Sequence, residues 1–199
     1  MSLPLPQSPI LTSDFFVRSP EIVARAMLGK VLVHHRKGER LSGRIIEVEA
    51  YLGLSDPASH AFRGRTSANA VLFGPPGVAY VYFIYGMHDC LNVSCLPDGE
   101  PGGVLIRALT PLEGIKTMAR LRGLPADAKP QQLTGGPGKL CEAFAITRAT
   151  HNGIDVTKVE SSIHIEDHGR SPGTIEITPR IGISKAIEQP LRFVLKAVK

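Results

Sequence analysis

Short runs in which apolar and polar residues alternate, separated by Gly and Pro, recur along this chain and limit what it can fold into. The clearest run spans residues 43–51. Its two sets of alternate positions are Ile46, Val48 and Ala50, which are apolar, and Glu47, Glu49 and Tyr51, which are polar. Successive side chains of a strand point to opposite faces, so the run predicts a half-buried strand. Its polar face carries two carboxylates and a tyrosine ring, and Asp56 and His60 follow in the next loop, a combination suited to acid–base chemistry on a flat substrate.

The rest of the pattern predicts an α+β fold. Ser19-Pro20-Glu21 carries the N-cap and N1 signals of a helix, and Thr110-Pro111-Leu112-Glu113 matches a capping box that opens a helix ending near Arg122. The other predicted elements are a hairpin over 30–35 and 42–51, a long loop over 52–77, a short helix opened by Gly135–Lys139, and strands at 78–85, 90–96, 103–109, 161–166, 174–178 and 191–198. We expect a single domain over residues 1–199, with a curved, mainly antiparallel sheet, flanking helices, a protruding β-hairpin and an extended N-terminal lead-in over residues 1–11.

Composition limits the class of protein. A chain of 199 residues with 43% apolar and 21% charged residues can bury one substantial core. The net charge of +5 suits a polyanionic partner. The chain has neither an apolar run long enough to cross a bilayer nor a secretory signal pattern, and its three cysteines cannot form an even disulfide set. We therefore expect a cytoplasmic protein that is neither secreted nor membrane-bound. The spacing of His88, Cys90 and Cys95 fits no usual zinc pattern, so no metal site is predicted.

All four tyrosines lie in residues 43–51 and in the segment 80–88. On a strand Tyr80 and Tyr82 share a face, whereas Tyr85 points the other way with Val81 and Phe83. Tyr85 lies beside a turn, where its ring could wedge between base pairs and replace a nucleotide rotated out of a duplex. Packing of the same ring on a neighbouring loop is the alternative.

Two further features have a chemical reading and a structural one. Arg107 lies in an otherwise apolar strand, where a guanidinium needs a carboxylate or a phosphate. Glu49 is the candidate partner, in either a catalytic pair or a plain salt bridge. The Gly-rich turn over residues 135–139 could hold an anion at a helix start, although it lacks the full spacing of a nucleotide-binding loop.

Together these segments resemble the alkyladenine (3-methyladenine) DNA glycosylase family. The matching stretches keep one order and cover about residues 12 to 195 of the chain. They include Glu47-Val48-Glu49-Ala50-Tyr51-Leu52-Gly53, Asp56-Pro57-Ala58-Ser59-His60-Ala61, Tyr80-Val81-Tyr82-Phe83-Ile84-Tyr85-Gly86-Met87-His88, Leu91-Asn92-Val93-Ser94, Leu105-Ile106-Arg107-Ala108-Leu109, Gly136-Pro137-Gly138-Lys139-Leu140-Cys141 and Arg180-Ile181-Gly182-Ile183.

The resemblance implies a monofunctional glycosylase of base-excision DNA repair. Such an enzyme flips a damaged purine out of double-stranded DNA and hydrolyses its N-glycosidic bond; the substrate class is alkylated or deaminated purines such as 3-methyladenine, hypoxanthine and ethenoadenine. It implies no metal and no organic cofactor. A monomer acting on DNA in the cytoplasm, or at the nucleoid if the source is bacterial, fits this activity.

The resemblance also implies residue roles. Glu49 would be the general base, and Arg107 and the carbonyl of Ile181 would hold the attacking water. The other implied roles are a base pocket of Tyr51, His60, Tyr82 and Asn92, an intercalating Tyr85, and DNA-backbone contacts by Met87, Gly136, Gly138 and Lys139. Glu47 is the competing carboxylate, and periodicity does not separate it from Glu49. The chain departs from the family pattern at Ala68, where an Arg is usual, and at Leu191, where a larger aromatic residue is common.

Two other classes of function fit part of this pattern. A non-catalytic module that binds duplex nucleic acid would use Tyr85 and the basic charge, but it would not need Glu49 paired with Arg107. A small-molecule or RNA hydrolase would use Glu49 and His60, but it would leave the tyrosine beside the turn without a role.

Overall fold

The computed structural model describes residues 9–169 and 173–196, which form an α+β domain, as predicted. Its helices are α1 (Ser13–Phe16), α2 (Pro20–Met27), α3 (Ile115–Leu121), α4 (Pro130–Thr134), α5 (Pro137–Ala143) and α6 (Arg148–His151). Its strands are β1 (Val31–Arg36), β2 (Glu39–Tyr51), β3 (Ala79–Ile84), β4 (His88–Ser94), β5 (Gly103–Glu113), β6 (Ile163–Glu166), β7 (Ile175–Thr178) and β8 (Arg192–Leu195). The predicted loop 52–77 contains two single 3₁₀ turns, Gly53–Ser55 and Ala70–Phe73.

The eight strands form one curved antiparallel sheet with β2 near its centre. The order is β3-β4-β5-β2-β1-β6, and β8 pairs with both β2 and β7. Strand β5 follows one side of β2, whereas β1 pairs with residues 39–44 on the other side and β8 pairs with residues 47–49. Strand β2 therefore contacts elements from the first and the last quarter of the chain.

The main core lies on the helix-covered face of the sheet. It contains Met27 of α2, Leu140 of α5, Val48 of β2 and Phe193 of β8, all fully buried. A second, smaller cluster of Ala61, Leu72 and Tyr80 lies below the 52–77 loop on the opposite face. The second cluster keeps the loop close to the sheet, and the candidate site lies beside it, with Leu72 and Tyr80 in its lining.

Two irregularities in the pairing of β2 with β5 separate the polar face from the core. Ile45 pairs with Leu109 and Glu47 with Ala108, which leaves Ile46 as an extra residue on β2. Glu47 pairs with Ala108 and Val48 with Ile106, which leaves Arg107 as an extra residue on β5. A bulge of this kind changes which face the following residues occupy.

The bulge corrects one sequence-based expectation. Ile46 was predicted on the apolar face, but it is only partly buried and does not belong to the core, whereas its neighbour Ile45 is fully buried. Val48 and Ala50 are in the core, as predicted. The predicted alternation is therefore correct for Val48 and Ala50, after the bulge. Before the bulge it is shifted by one residue, so that Ile45 and not Ile46 faces the core.

The predicted capping box at Thr110–Glu113 is wrong, because these residues continue β5. Thr110 pairs with Arg44 and Glu113 with Ser42, and the Glu113 carboxylate accepts hydrogen bonds from Ser42 Oγ at 2.6 Å and Arg40 Nε at 2.8 Å. Helix α3 begins only after Gly114, which has φ +73° and whose Cβ, if present, would lie 2.3 Å from Leu41. Strand pairing and this glycine turn override the local helix signal.

The other predicted elements agree closely with the structure. Helix α2 has Ser19 as its N-cap and Pro20 as its first residue. Lys37 and Gly38, both at positive φ, form the two-residue turn between β1 and β2. Residues 1–8 of the predicted N-terminal lead-in lie outside the described residues. In the remainder of the lead-in, Ile10 pairs with Glu166. The predicted strand 191–198 also extends past the described part of the chain, which ends at residue 196. Among the described residues, no helix has the length and apolar character required to span a membrane.

A buried histidine pair joins β1 to the segment around α6. His34 Nδ1 donates to the carbonyl of Phe144 at 2.7 Å, and His151 Nδ1 accepts from Thr147 N–H at 3.2 Å. These partners require that His151 Nε2–H donates to His34 Nε2, 3.3 Å away, with both rings neutral. Burial lowers the pKa of His34 to about 4 and also lowers that of His151.

We predict that this pair makes the fold less stable in mild acid. Unfolded histidine titrates near 6.5, so between pH 6.5 and 4 the unfolded chain binds more protons and stability falls as the pH falls. His34 alone accounts for a loss on the order of 2–3 kcal/mol. Urea unfolding from pH 8 to 4.5 checks this: His34→Gln should be less stable at pH 7 but lose less stability below 6.5. Parallel pH profiles for the two proteins would contradict the assignment.

Candidate active site

The carboxylate of Glu49 lies at the centre of the candidate site and is completely buried. Its Oε1 accepts a hydrogen bond from the backbone N–H of Ile181 at 2.8 Å and lies 3.2 Å from the Arg107 guanidinium. Its Oε2 accepts from the Tyr51 hydroxyl at 2.9 Å. A carboxylate has about four acceptor positions, so these contacts hold the group in place and leave Oε2 able to accept from a further donor.

Glu47 has a different environment, although it lies on the same face of β2. Its Oε1 accepts from Arg107 Nε at 2.9 Å and from Arg192 Nε at 2.7 Å. Arg107 therefore contacts both carboxylates, and the carboxylate partner expected for it is present twice. Burial lowers the pKa of Arg107, but the charge of Glu49 and the hydrogen bond to Glu47 outweigh this effect and raise it. The charge of Glu47 is balanced by two guanidinium groups, those of Arg107 and Arg192. Glu49 contacts only that of Arg107, which it shares with Glu47.

The Tyr51 side chain is a neutral hydrogen-bond donor. Burial, followed by the adjacent charge of Glu49, raises the pKa of its hydroxyl far above the usual value. The guanidinium carbon of Arg180 lies 4.7 Å from the centre of the Tyr51 ring, a cation–π distance. Tyr51 is thus held at its hydroxyl by Glu49 and at its ring by Arg180.

Aromatic rings form the wall of a cavity in front of Glu49. The His60 ring lies 4.5 Å from that of Tyr82, and its Nδ1 is 2.9 Å from the hydroxyl of Tyr80. Desolvation among these rings lowers the pKa of His60, which favours the neutral imidazole at pH 7. For the Tyr82 hydroxyl the same burial has the opposite effect and raises the pKa, so this group is also neutral.

The cavity has a volume of about 810 Å³, in the range of small-molecule sites. Six residues predicted for catalysis or base binding line it together: Tyr51, His60, Tyr82, Asn92, Arg107 and Ile181. Asn92 is nearly buried and donates from Nδ2 to the carbonyl of Tyr80 at 3.4 Å. Glu49 itself is not among the lining residues, but its three partners Tyr51, Arg107 and Ile181 all are, so it lies directly behind the wall.

The β3–β4 hairpin ends at the mouth of this cavity. Tyr85 is 74% exposed, has φ +55° in the turn, and lines the cavity rim. The strand alternation predicted Tyr85 on the face of Val81 and Phe83, but the left-handed turn conformation takes it off that pattern. Met87, also at the tip, is 67% exposed. An exposed aromatic and a methionine at a hairpin tip form an apolar projection beside the opening.

The start of α5 lies beside the base of this hairpin and also lines the cavity. Gly136, Gly138 and Lys139 all line the cavity, as do the basic residues Arg63, Arg122 and Lys185. A Cβ on Gly138 would lie 3.0 Å from the His88 ring, so a glycine permits α5 to approach β4 this closely. The predicted phosphate-contacting residues therefore lie next to the predicted base pocket.

Some residues with clear structural roles in the site were not predicted. Tyr80 was placed on the correct face but given no role, and Arg180 appeared only within a matching stretch. Asp56 was expected to contribute to acid–base chemistry, but its oxygens accept from Arg180, Leu52 N–H and Ala58 N–H. The ion pair with Arg180 joins residues 124 positions apart, and no local sequence signal could have revealed it.

Asn69 organises the loop that carries His60. Its Nδ2 donates to the carbonyl of His60 at 2.8 Å and to that of Gly64 at 3.0 Å, while its Oδ1 accepts from Thr66 N–H at 2.6 Å. The side chain is almost fully buried, whereas the adjacent departure from the family pattern, Ala68, is exposed. Leu191, the other departure, is buried in the main core.

His88, Cys90 and Cys95, whose spacing fits no usual zinc pattern, are divided between the cavity and the core. His88 and Cys90 both line the cavity, whereas Cys95 belongs to the main core. The three cysteines are free thiols and all are buried.

Comparison with known proteins agrees with this site. The model of the methylpurine-DNA glycosylase family matches residues 14–199. A protein from Koribacter versatilis is 51% identical over 195 residues, covering 96% of this chain and 89% of its own length. Proteins from Methanocella arvoryzae, 47% identical with 92% and 90% coverage, and Alkaliphilus oremlandii, 45% identical with 94% and 95% coverage, are also similar. All three carry the provisional name 3-methyladenine DNA glycosylase.

The site is an aromatic cavity with a buried carboxylate behind its wall and an exposed hairpin at its mouth. This architecture is that of an enzyme that acts on a flat nucleobase. The chain belongs to the methylpurine-DNA glycosylase family. The predicted enzyme class, a DNA glycosylase of base-excision repair, is thereby confirmed.

We predict that the loop around His60 depends on the amide of Asn69. Asn69→Ala removes three hydrogen bonds and leaves buried carbonyl groups unpaired, which should lower the free energy of unfolding by on the order of 2–3 kcal/mol. Asn69→Asp is nearly isosteric, but it would direct a carboxylate at two carbonyl oxygens and should be at least as damaging. Urea unfolding of the three proteins measures this. A stability for Asn69→Asp equal to that of the unchanged protein would contradict the proposed hydrogen-bond pattern.

Proposed function

We propose that this protein flips damaged purines out of double-stranded DNA into the aromatic cavity and hydrolyses their N-glycosidic bond, with Glu49 as general base. The observation that carries the proposal is the position of the Glu49 carboxylate. It lies directly behind the cavity wall, fully buried, and is oriented by a hydroxyl, a guanidinium and a backbone amide. A structural salt bridge does not require an aromatic cavity in front of it.

The cavity suits an extruded purine. Tyr51, His60 and Tyr82 offer ring faces and edges to a flat base. Asn92 offers a polar group that can reject normal purines carrying an exocyclic group in the minor-groove position. Alkylated purines that carry a positive charge are attracted to electron-rich rings and leave more readily as neutral bases. The stability of the duplex also contributes to the selectivity for damaged purines, because a damaged or mispaired base costs less free energy to extrude.

The chemical step follows from charge. As the glycosidic bond breaks, the sugar becomes cation-like, so a nearby carboxylate stabilises it and orients a water for attack. Oε2 of Glu49 retains acceptor capacity for this water beside the Tyr51 hydroxyl. Arg107 and the carbonyl of Ile181 are the proposed further contacts of the water. The amide of Ile181 has a role of its own, because it donates to Glu49 Oε1.

The hairpin tip and the cavity rim would hold the duplex. Tyr85 would fill the gap left by the flipped nucleotide, and Met87 would pack beside it. Gly136, Gly138 and Lys139, next to the base of the hairpin, would contact the phosphate backbone. We also infer that the protein acts as a monomer, since one cavity with its own wedge can process one lesion, and that it works in the cytoplasm where it can reach DNA.

A non-catalytic module that binds duplex DNA is the second candidate, because the exposed hairpin would serve binding equally well. Binding alone, however, gains nothing from a buried carboxylate behind the cavity, since a buried charge costs free energy. The two candidates differ in one measurable property, which is base release that depends on Glu49.

We predict that Glu49→Gln loses base release and that Glu47→Gln retains most of it. A general base contributes about 10²- to 10⁴-fold, and Gln keeps the shape of Glu while removing the charge. Glu47→Gln is the matched control, because it makes the same change two residues away on the same face. Single-turnover release of 3-methyladenine and of hypoxanthine from duplex DNA measures both. Equal losses in the two variants would refute the assignment of Glu49, and unchanged duplex binding without release by any protein would favour the binding module.

We predict that Tyr85→Ala weakens binding to damaged duplex by roughly tenfold or more, because stacking of an aromatic ring on bases contributes about 1–3 kcal/mol. Phe83→Ala is the control: Phe83 is 53% exposed on the same hairpin but does not line the cavity. Tyr85→Phe should bind like the unchanged protein, since the ring and not the hydroxyl fills the gap. Fluorescence anisotropy with a duplex that carries one lesion measures these affinities. Equal losses for Tyr85→Ala and Phe83→Ala would contradict the wedge.

A further inference from the structure

Arg180 and Asp56 form a buried, two-pronged ion pair next to the candidate site. The two terminal nitrogens of Arg180 lie 2.5 and 2.9 Å from the two carboxylate oxygens of Asp56, and both side chains are completely inaccessible to solvent. The pair connects the loop after β2 to the segment between β7 and β8. The planar guanidinium fits a carboxylate in one orientation, so the pair fixes direction as well as distance.

Besides its pairing with Asp56, Arg180 has two contacts and one chain neighbour in the Glu49 environment. One terminal nitrogen also donates to the carbonyl of Ala50, the residue between Glu49 and Tyr51, at 3.0 Å. The guanidinium stacks on the Tyr51 ring, whose hydroxyl donates to Glu49. The next residue along the chain is Ile181, whose amide also donates to Glu49. Arg180 thus lies behind two of the three groups that hold the carboxylate.

Asp56 extends the same arrangement toward His60. Its carboxylate accepts from the amides of Leu52 and Ala58 at 3.1 and 3.0 Å. These bonds fold the chain back immediately after Tyr51 and before His60. Two of the proposed base-stacking residues are therefore positioned from opposite ends of one short loop by the same buried ion pair.

A buried ion pair of this kind is not explained by stability alone. The cost of removing two charges from water often cancels their attraction, and apolar residues of similar size can replace such pairs without loss. We propose that the Asp56–Arg180 pair is a positioning unit of the active site, which holds Tyr51 and the Ile181 amide on Glu49 and so acts on the hydrolytic step rather than on DNA binding. This inference rests on the proposed role of Glu49.

The chain contains a second two-pronged ion pair that is remote from the cavity and less buried, with the Arg40 side chain 30% exposed. Arg40 also makes two parallel hydrogen bonds to one carboxylate, that of Glu166, at 3.0 and 2.9 Å. Arg40 belongs to the opposite end of β2 from Glu49, and neither partner lines the cavity. A change there tests what the loss of a two-pronged ion pair does to the protein in general.

The test compares Arg180→Lys with Arg40→Lys, because lysine keeps the charge but cannot make the planar, two-pronged contact or stack in the same way. Both variants are measured at a temperature where unfolding curves show that they are folded. For Arg180→Lys we expect single-turnover release of 7-methylguanine at saturating enzyme to fall about 10- to 100-fold, with the dissociation constant for lesion-bearing duplex within about threefold. Arg40→Lys should leave both quantities unchanged.

Should Arg180→Lys fail to fold, Asp56→Asn, which keeps the shape of the partner, is measured in its place with the same expectation.

A double variant separates positioning from a general weakening of the fold. If Arg180 acts through Glu49, then Arg180→Lys should lower the residual rate of Glu49→Gln by less than threefold, because the group being positioned is already impaired. Full additivity of the two losses, or equal losses of rate in Arg180→Lys and Arg40→Lys, would overturn the inference alone. No release by the unchanged protein would overturn the proposed function and the inference with it.

Discussion

The pairing of β2 with β5 supports both the core and the candidate site, and the two bulges on either side of Glu47 make this double role possible. In a regular strand a change of face by one residue would move every later side chain. Here Ile46 is an extra residue on β2 and Arg107 is an extra residue on β5, so around Glu47 each strand shifts once and the pairing continues through Tyr51. Val48 then faces the core while Glu49 and Arg107 face each other on the cavity side.

A fully buried carboxylate imposes the next constraint. Glu49 would be unstable as an anion without compensation, and the surrounding groups supply it through a guanidinium, a hydroxyl and an amide. Removing one partner of such a buried pair costs about 3–5 kcal/mol, so these residues depend on one another. Arg192 adds a second cation at Glu47, which leaves Arg107 less fully engaged there and free to contact Glu49 as well.

The architecture divides the work among rigid and exposed parts. Strands β2 and β5 hold the charged groups, the 52–77 loop supplies His60, and the hairpin tip projects Tyr85 from the edge of the sheet. Groups that act on a reacting bond need positions fixed within a fraction of an ångström, which strands provide better than loops. In the proposed function Tyr85 needs the opposite property, exposure, in order to enter a duplex. This arrangement of fixed charged groups and an exposed hairpin belongs to a member of the methylpurine-DNA glycosylase family.

The sequence by itself determined most of the strands, because alternation and turn residues are local signals. Its resemblance to a known family, rather than periodicity, indicated Tyr51, His60, Tyr82 and Asn92 as pocket residues, and all four line the cavity. Only the tertiary structure decided the start of α3, since the helix signal at Thr110 loses to pairing with β2. It also decided which carboxylate is buried: Glu47 and Glu49 are equivalent in the pattern, and their difference arises from Arg192 and Ile181, which lie more than 130 residues away. Long-range contacts of this kind, like that between Asp56 and Arg180, depend on how the chain ends meet at one strand, and no local pattern records them.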